Sequence, residues 1–407
     1  MIKTVIILLY VIEEAFDGII DFLNSSYIKR ELPDNVKDVY DEEEYKKYLA
    51  YEKANGRIDL IDNILDITIQ LCLLGFNVYA WIFDKLSGFN LYIQYLIFIG
   101  VVSVISLIIG LPFSYYETFV IEERFGLNKT TKKTFVFDTI KEFLISVVVM
   151  YLFMAVLMFC FETFGLTGSI YLAVIVIGVV LVIAALIIPL MRIFNKFTPL
   201  EDGELKEKLL ALCSKYNVRV KKIVVRDASR RTTKSNAFCS GMKYKTISLD
   251  DNLVNNFSTD EIIAVFAHEF AHAKHKDSIK GLPFGILASF ATISLLALVL
   301  KYESIFTAFG FVGINYFFAI YVYRIFLEPF NTILGVITNS MSRKREYRAD
   351  AFAAKEGYGK ELISALKKLF KESLADVNPH PAVVILYDSH PTLSQRIYAI
   401  EQNMDNQ

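Results

Sequence analysis

The stretch AVFAHEFAHAKHKD, residues 264–277, places three of the chain's five histidines within eight positions. On a helix, His268 and His272 are four apart, so their imidazoles leave one face at a spacing that can grip a single metal ion. Glu269 adjoins them; in an H-E-x-x-H site that carboxylate takes the proton of the attacking water. A polar helix with solvated histidines can carry the same letters, so the motif needs company. A third protein ligand must close the site while leaving one position open. SRKREYRADAF, residues 342–352, supplies Glu346 as that ligand. Asp350, four residues on, is placed to accept a hydrogen bond from a ligand histidine and fix its tautomer. Alone, EYRAD reads as a solvated helix face; beside H-E-x-x-H it completes a one-ion zinc site made of His268, His272 and Glu346. His390, in SHPTLSQR, has the chemistry to donate to a developing oxyanion. Asn236 and Ala237, in SNAFCSG, lie on a predicted edge strand that can hold an extended peptide by main-chain pairing. His275 and His380 read as solvated or structural.

The elements that carry these residues are legible in outline. Residues 196–280 read as a small α/β unit. EDGELKEKLLALCSKYN is an amphipathic helix, VKKIVVRDA a β-branched strand, and SNAFCSGMKYKTISLDD a hairpin around Gly241. Ser258 to Glu261 (STDE) has capping-box spacing and opens the helix of the histidines. Residues 341–407 read as a helical tail broken by Pro379, Pro381 and Pro391.

The rest of the chain is too apolar for water. Of 407 residues, 54% are hydrophobic and 21% charged, with a mean hydropathy of +0.41 and a net charge of −1. The apolar excess falls in blocks, which points to a bilayer, and the charge balance gives no pull toward nucleic acid. Cys72, Cys160, Cys213 and Cys239 lack C-x-x-C spacing and read as small buried hydrophobes. The N-terminal run carries Glu13, Glu14 and Asp17 and does not read as a signal peptide. Blocks at 91–116, 143–161, 163–191, 281–300 and 304–323 are long enough to span. Those at 4–23 and 60–83 are apolar but marked by acids, and with them the expected count is seven. Their acids are patterned: Tyr10, Glu14, Asp17 and Asp21 share one helix face, as do Asp59, Asp62, Asp66 and Gln70, so these faces should line water or protein. Basic residues crowd the loops after the first and third spans (Lys29, Arg30, Lys37, Lys46, Lys47, Lys53 and Arg57; then Arg124, Lys129, Lys132 and Lys133). By the positive-inside rule the N-terminus is outside, and 192–280 and the C-terminal part face the cytosol together. The expected organisation is spans one to five in 1–195, the soluble unit in 196–280, spans six and seven in 281–340, and the C-terminal part of the site in 341–407.

These residues, in this order, resemble the type I integral-membrane CAAX prenyl proteases. VYDEEEYKKYLAYEKANGRIDLI is similar to that family's first cytosolic loop, and GLPFSYYETFVIEERFGLNKTT to its N-terminal signature. DGELKEKLLAL, SNAFCSG, FAHEFAHAKH, SRKREYRAD and YDSHPTLSQRI follow in the family's order. The resemblance implies a mainly α fold: a seven-transmembrane helical barrel around a large water-filled chamber, with a cytosolic α/β zinc-metalloprotease unit. It implies cleavage after an S-prenylated cysteine, releasing the last three residues, in the endoplasmic reticulum or a bacterial inner membrane. It also implies zinc on His268, His272 and Glu346, with Glu269 as general base and Asp350 behind the ligands. Asn236, His390 and Arg396 would lie about the scissile peptide. Where the family commonly has Leu-Gly inside the zinc motif, this chain has Phe270 and Ala271. Two other readings stay open at this point. One is a heat-shock-type membrane zinc protease acting on unprenylated substrates, which normally has fewer spans. The other is a transporter or receptor with a structural zinc.

Overall fold

The computed structural model describes residues 1–27, 31–241 and 245–406. Lys29 and Arg30 of the first basic loop, and residues 242–244 of the expected hairpin turn, lie outside the described residues. Helix α1 (Ile2–Tyr27) leads to α2 (Glu42–Gly75), which starts on a complete capping box between Asp41 and Glu44. The block expected to span as one helix at 60–83 is instead broken: α2 meets α3 (Val78–Lys85) at a 62° bend. Asn77 adopts left-handed backbone at the break (φ 57°). Lys3 Nζ, from α1, satisfies the freed Gly75 carbonyl at 2.7 Å and Asn77 Oδ1 at 2.8 Å, as a helix end away from water requires.

Helix α4 (Leu91–Tyr116) coincides with the third expected span and passes through a π-turn into the short α5 (Glu123–Phe125). Helices α6 (Lys132–Phe164) and α7 (Gly168–Ala185) fold back on each other at a left-handed Gly165. Gly168 is needed there, because a Cβ on it would stand 2.2 Å from the Cys160 carbonyl oxygen. A short α8 (Ile187–Met191) ends this part. Among the described residues, four segments are long and apolar enough to cross a membrane, one of them the α6–α7 run, or five with the bent α2–α3 pair. The acid-marked α1 does not meet that criterion, so length and composition alone do not reach seven. Between α4 and α6 lies a cavity of about 970 Å3 with Ser103, Ser106, Ser114, Asp138, Glu142 and Ser146 in its wall. Polar lining at this depth is tolerable only where it faces water or protein.

Between α8 and the histidine helix, the described residues form a four-stranded sheet in the order β1-β2-β4-β3, made of β1 (Phe197–Pro199), β2 (Val220–Arg226), β3 (Ala237–Ser240) and β4 (Lys245–Asp250). Strands β2 and β4 are parallel, and β3 pairs antiparallel with β4 at one edge. Strand β1 carries no alternating pattern in the sequence. Helices α9 (Glu204–Lys215), α10 (Asp251–Asn256) and α11 (Thr259–His275) pack on this sheet. Ten positions of α11 are buried, and the large apolar ones among them (Ile262, Ile263, Val265, Phe266 and Phe270) contribute roughly 1.5–3 kcal/mol each. The histidine helix is thus a core element with one functional face.

Left-handed Lys276 turns the chain into α12 (Asp277–Lys301), and α13 (Glu303–Ala308) follows. The seventh span was expected at 304–323, but left-handed Gly310 and Gly313 break that block. The long helix is α14, Tyr316–Ala353, 38 residues running from the apolar segment directly into SRKREYRAD. Helices α15 (Gly359–Ser373), α16 (Pro381–Leu386) and α17 (Leu393–Asp405) complete the chain, with Pro381 at the first turn of α16.

Candidate metal centre

Helix α11 brings His268 and His272 to one face, and α14 crosses it to deliver Glu346. His268 Nε2 lies 3.3 Å from Glu346 Oε2, His272 Nε2 lies 3.2 Å from Glu346 Oε1, and the two Nε2 atoms are 3.3 Å apart. Two donor atoms bound tetrahedrally to one ion at zinc-like bond lengths stand about 3.3 Å apart. The two imidazoles face different oxygens of the Glu346 carboxylate, and one ligand atom from each of the three residues lies within 4.8 Å of the others, a grouping that fits a single small divalent cation. Glu346 Oε2 is buried without a hydrogen-bond partner, a cost a native site accepts when that atom has a metal to bind. Among the described residues these three form the one His/Cys/Asp/Glu group able to hold an ion.

The imidazoles are aimed from behind. His268 Nδ1 is 2.8 Å from Asp350 Oδ1. Arg396, on α17, donates from Nε and NH2 to both oxygens of Asp350, at 2.9 and 2.7 Å. Burial pushes the Asp350 carboxyl up, but the Arg396 guanidinium and the His268 bond hold it below its ordinary value. An ionised Asp350 accepts a hydrogen bond from His268 Nδ1, which leaves Nε2 as the nitrogen facing Glu346 and the one offered to a metal. Arg396 also lines the cavity beside the site, yet its strong bonds go to Asp350.

His272 has an equivalent partner that the motif reading did not single out. Asp277 Oδ2 lies 3.0 Å from His272 Nδ1, while Oδ1 accepts from Arg348 of α14. The left-handed Lys276 turns Asp277, five residues past His272, back onto the imidazole. The clue was present in the opening stretch, whose last letter is this aspartate. Burial lowers both histidines, but their carboxylate partners more than offset it, carrying His268 up to about 9 and His272 upward. A cation must displace those protons to bind.

Phe270 and Ala271, the two residues inside the motif, face away from the ligands. Both are fully buried, and Phe270 packs its ring against Tyr216, Phe266 and Phe352. Glu269 is half-buried and opens onto a cavity of about 220 Å3, which also takes in Asn236, Ala237, His268, His390 and Arg396. Asn236 stands one residue before the edge strand rather than in it; its carbonyl accepts from Asp250 N at 3.0 Å. His390 Nε2 reaches to 3.6 Å from Glu346 Oε2, although the side chain is 61% exposed. His275 and His380 lie outside this constellation; His380 caps α16, its Nδ1 accepting from Ala382 N at 3.1 Å.

Comparison with known proteins gives this arrangement a context. Two family models divide the chain: "CAAX prenyl protease N-terminal, five membrane helices" matches residues 23–196, and "Peptidase family M48" matches residues 199–404. CAAX prenyl protease 1 of Saccharomyces cerevisiae is 32% identical over 405 residues, covering 91% of this chain and 88% of the yeast protein. The CAAX prenyl protease 1 homologue of Arabidopsis thaliana is 33% identical, covering 91% and 90%. The crystal structure of S. mikatae Ste24p superimposes with a TM-score of 0.91 at 30% identity, over 98% of this chain and 99% of that one.

Proposed function

This chain belongs to peptidase family M48, as a multi-pass membrane metalloendopeptidase of the CAAX prenyl protease kind, and on that premise we propose what it acts on and how. The substrate is a C-terminal CAAX sequence bearing an S-prenylated cysteine, and the products are the trimmed protein and the last three residues. The observation that carries the proposal is the triangle of His268, His272 and Glu346 with Glu269 and His390 converging on it.

In this reading His268, His272 and Glu346 would hold one zinc ion, the metal whose ligand preference the His2Glu set matches. When bound it would supply Lewis-acid polarisation of the scissile carbonyl and of water. The chain's own residues do the rest. The substrate backbone extends along the free edge of β3, with Asn236 and Ala237 beside it. Glu269 removes a proton from the attacking water and returns it to the leaving amine. His390 Nε2 donates a hydrogen bond to the carbonyl oxygen as charge develops there. Asp350 and Asp277 hold the two imidazoles in the required tautomer.

The division into a membrane part (1–195), a soluble unit (196–280), two further spans (281–340) and a C-terminal part of the site (341–407) belongs to the same proposal. So does a site that faces the cytosol, which rests on the basic loops and their sidedness.

The test is mass spectrometry of products from a farnesylated C-terminal peptide and its unmodified twin, with and without a chelator. Chelator-sensitive loss of three residues from the farnesylated peptide is the expected result. Equal cleavage of the twin would remove the lipid from the recognition. No cleavage of either by zinc-loaded protein would remove CAAX substrates altogether and turn the search to unprenylated membrane proteins.

A further inference from the structure

His390 sits on a segment without regular structure with its side chain 61% exposed; its ring meets Ser389 Oγ at 3.0 Å from Nδ1 and Glu346 Oε2 only at 3.6 Å from Nε2. One contact with a neighbour in sequence and one long ion pair leave much of its placement to the backbone that carries it. That backbone is tied to α14. Arg343 NH1 donates to the carbonyls of Val384 and Asp388, at 2.6 and 2.7 Å. One turn earlier, Asn339 Nδ2 donates to the Leu386 carbonyl at 2.9 Å. These oxygens belong to the end of α16 and the residues just past it, where a helix leaves its carbonyls unsatisfied. The same segment is tied to α1: Tyr387 Oη donates to Asp17 at 2.5 Å, and His380 N to Asn24 Oδ1 at 2.8 Å.

The register on α14 is the informative part. Asn339, Arg343, Glu346 and Asp350, spaced four, three and four, fall on one helical face. The first two grip the strap, the third belongs to the metal triangle, and the fourth aims His268. We propose that Arg343, supported by Asn339, is a positioning residue for the reaction. It fixes the 384–388 backbone against the helix that bears Glu346, and so sets where His390 Nε2 stands over the metal site. The inference rests on the role given to His390 above. It touches neither ligand nor substrate and leaves metal binding to other groups.

The test is a double-mutant cycle in the full-length, metal-loaded protein, with metal content measured on every variant. Arg343→Ala should keep the metal and lower kcat by about 10- to 100-fold, the scale of a misplaced catalytic group, with KM nearly unchanged. Arg343→Lys, which can still donate to both carbonyls, should recover part of that loss. In a His390→Ala background, Arg343→Ala should cost nothing further. Additive losses, or loss of metal from Arg343→Ala, would overturn the proposal. Asn339→Ala removes a single bond and should give the same pattern, smaller, which guards against misfolding of the arginine variant. A second reading needs no activity: amide hydrogen exchange over residues 384–390 should speed up at least tenfold in Arg343→Ala while α11 is unchanged. Unchanged exchange there would defeat the proposal even if the wild type cleaves no prenylated peptide, an outcome that counts against the substrate and not against the strap.

Discussion

The metal triangle and the strap that carries His390 sit side by side and are built in opposite ways. His268, Glu346 and Asp350 are buried on two long helices, and each imidazole is held by a carboxylate that is itself held by an arginine: Asp350 by Arg396, Asp277 by Arg348. His390 projects from an irregular segment secured through its carbonyls. A metal site must not move, because its ligands meet within a few tenths of an ångström whether or not substrate is there. A group that serves only a developing charge need only be delivered close by, and exposure leaves room for the peptide to enter. Rigidity is concentrated where the ion would sit, and access is concentrated one residue layer outward.

The largest expected effect tests the boundary between the two regions. Glu269→Gln should lower cleavage by about 10^2- to 10^4-fold, as loss of general base catalysis does, while metal content stays at the wild-type level. Loss of metal together with activity would place Glu269 in the cradle and not in the chemistry. His390→Ala should cost about 10^2- to 10^3-fold in kcat, the range for one oxyanion donor, again with metal intact and KM little changed. A KM effect alone would make His390 a binding contact and erase its distinction from the edge strand. Smaller still, Asp277→Ala should weaken metal affinity by about 10- to 100-fold, measured by competition with a chelator. If Asp277→Ala leaves affinity untouched while Asp350→Ala does not, the two imidazoles are not held alike, and the cradle is rigid on one side only.

The same contrast explains what could be read in advance. Helical ligands repeat every three or four residues, so His268, His272, Glu346 and Asp350 stand out as spacings. Asp277 does not, because it lies past the helix end and reaches His272 only through the left-handed backbone at Lys276. The bond from Arg396 to Asp350 joins positions 46 apart in sequence, which no local pattern encodes. In the membrane part, α4 follows its apolar block closely, whereas the blocks at 60–83 and 304–323 do not correspond to single helices. Hydropathy averages over a window and cannot see one left-handed Asn77 or a pair of positive-φ glycines. That error had a consequence for the site. With the helix beginning at Tyr316, the apolar segment and the Glu346 motif share one helix, with Pro329 inside it, and the residues that hold the strap lie on the same stretch as the ligand.

The rigid side of the comparison has a pH signature of its own at the start of α11. Glu261 closes the capping box on Ser258 and also accepts from Ser364 Oγ at 2.6 Å and Lys368 Nζ at 2.7 Å, so it ties the histidine helix to α15. Burial raises its carboxyl, but the Lys368 and Ser364 bonds outweigh that and bring it down to about 2. A carboxylate whose folded value lies below its unfolded one stabilises the fold fully above the unfolded value, near 4.5. That contribution drains away as the pH falls toward 2. Glu261→Gln keeps the shape and removes the charge, so it should destabilise the protein by about 1–2 kcal/mol at pH 7, the screening of half-exposed Lys368 included. The melting-temperature gap between variant and wild type should be constant from pH 8 to about 5 and shrink below that. A gap that persists unchanged at pH 3.5 would mean the charge is not what stabilises the helix start, and that packing alone fixes the histidines.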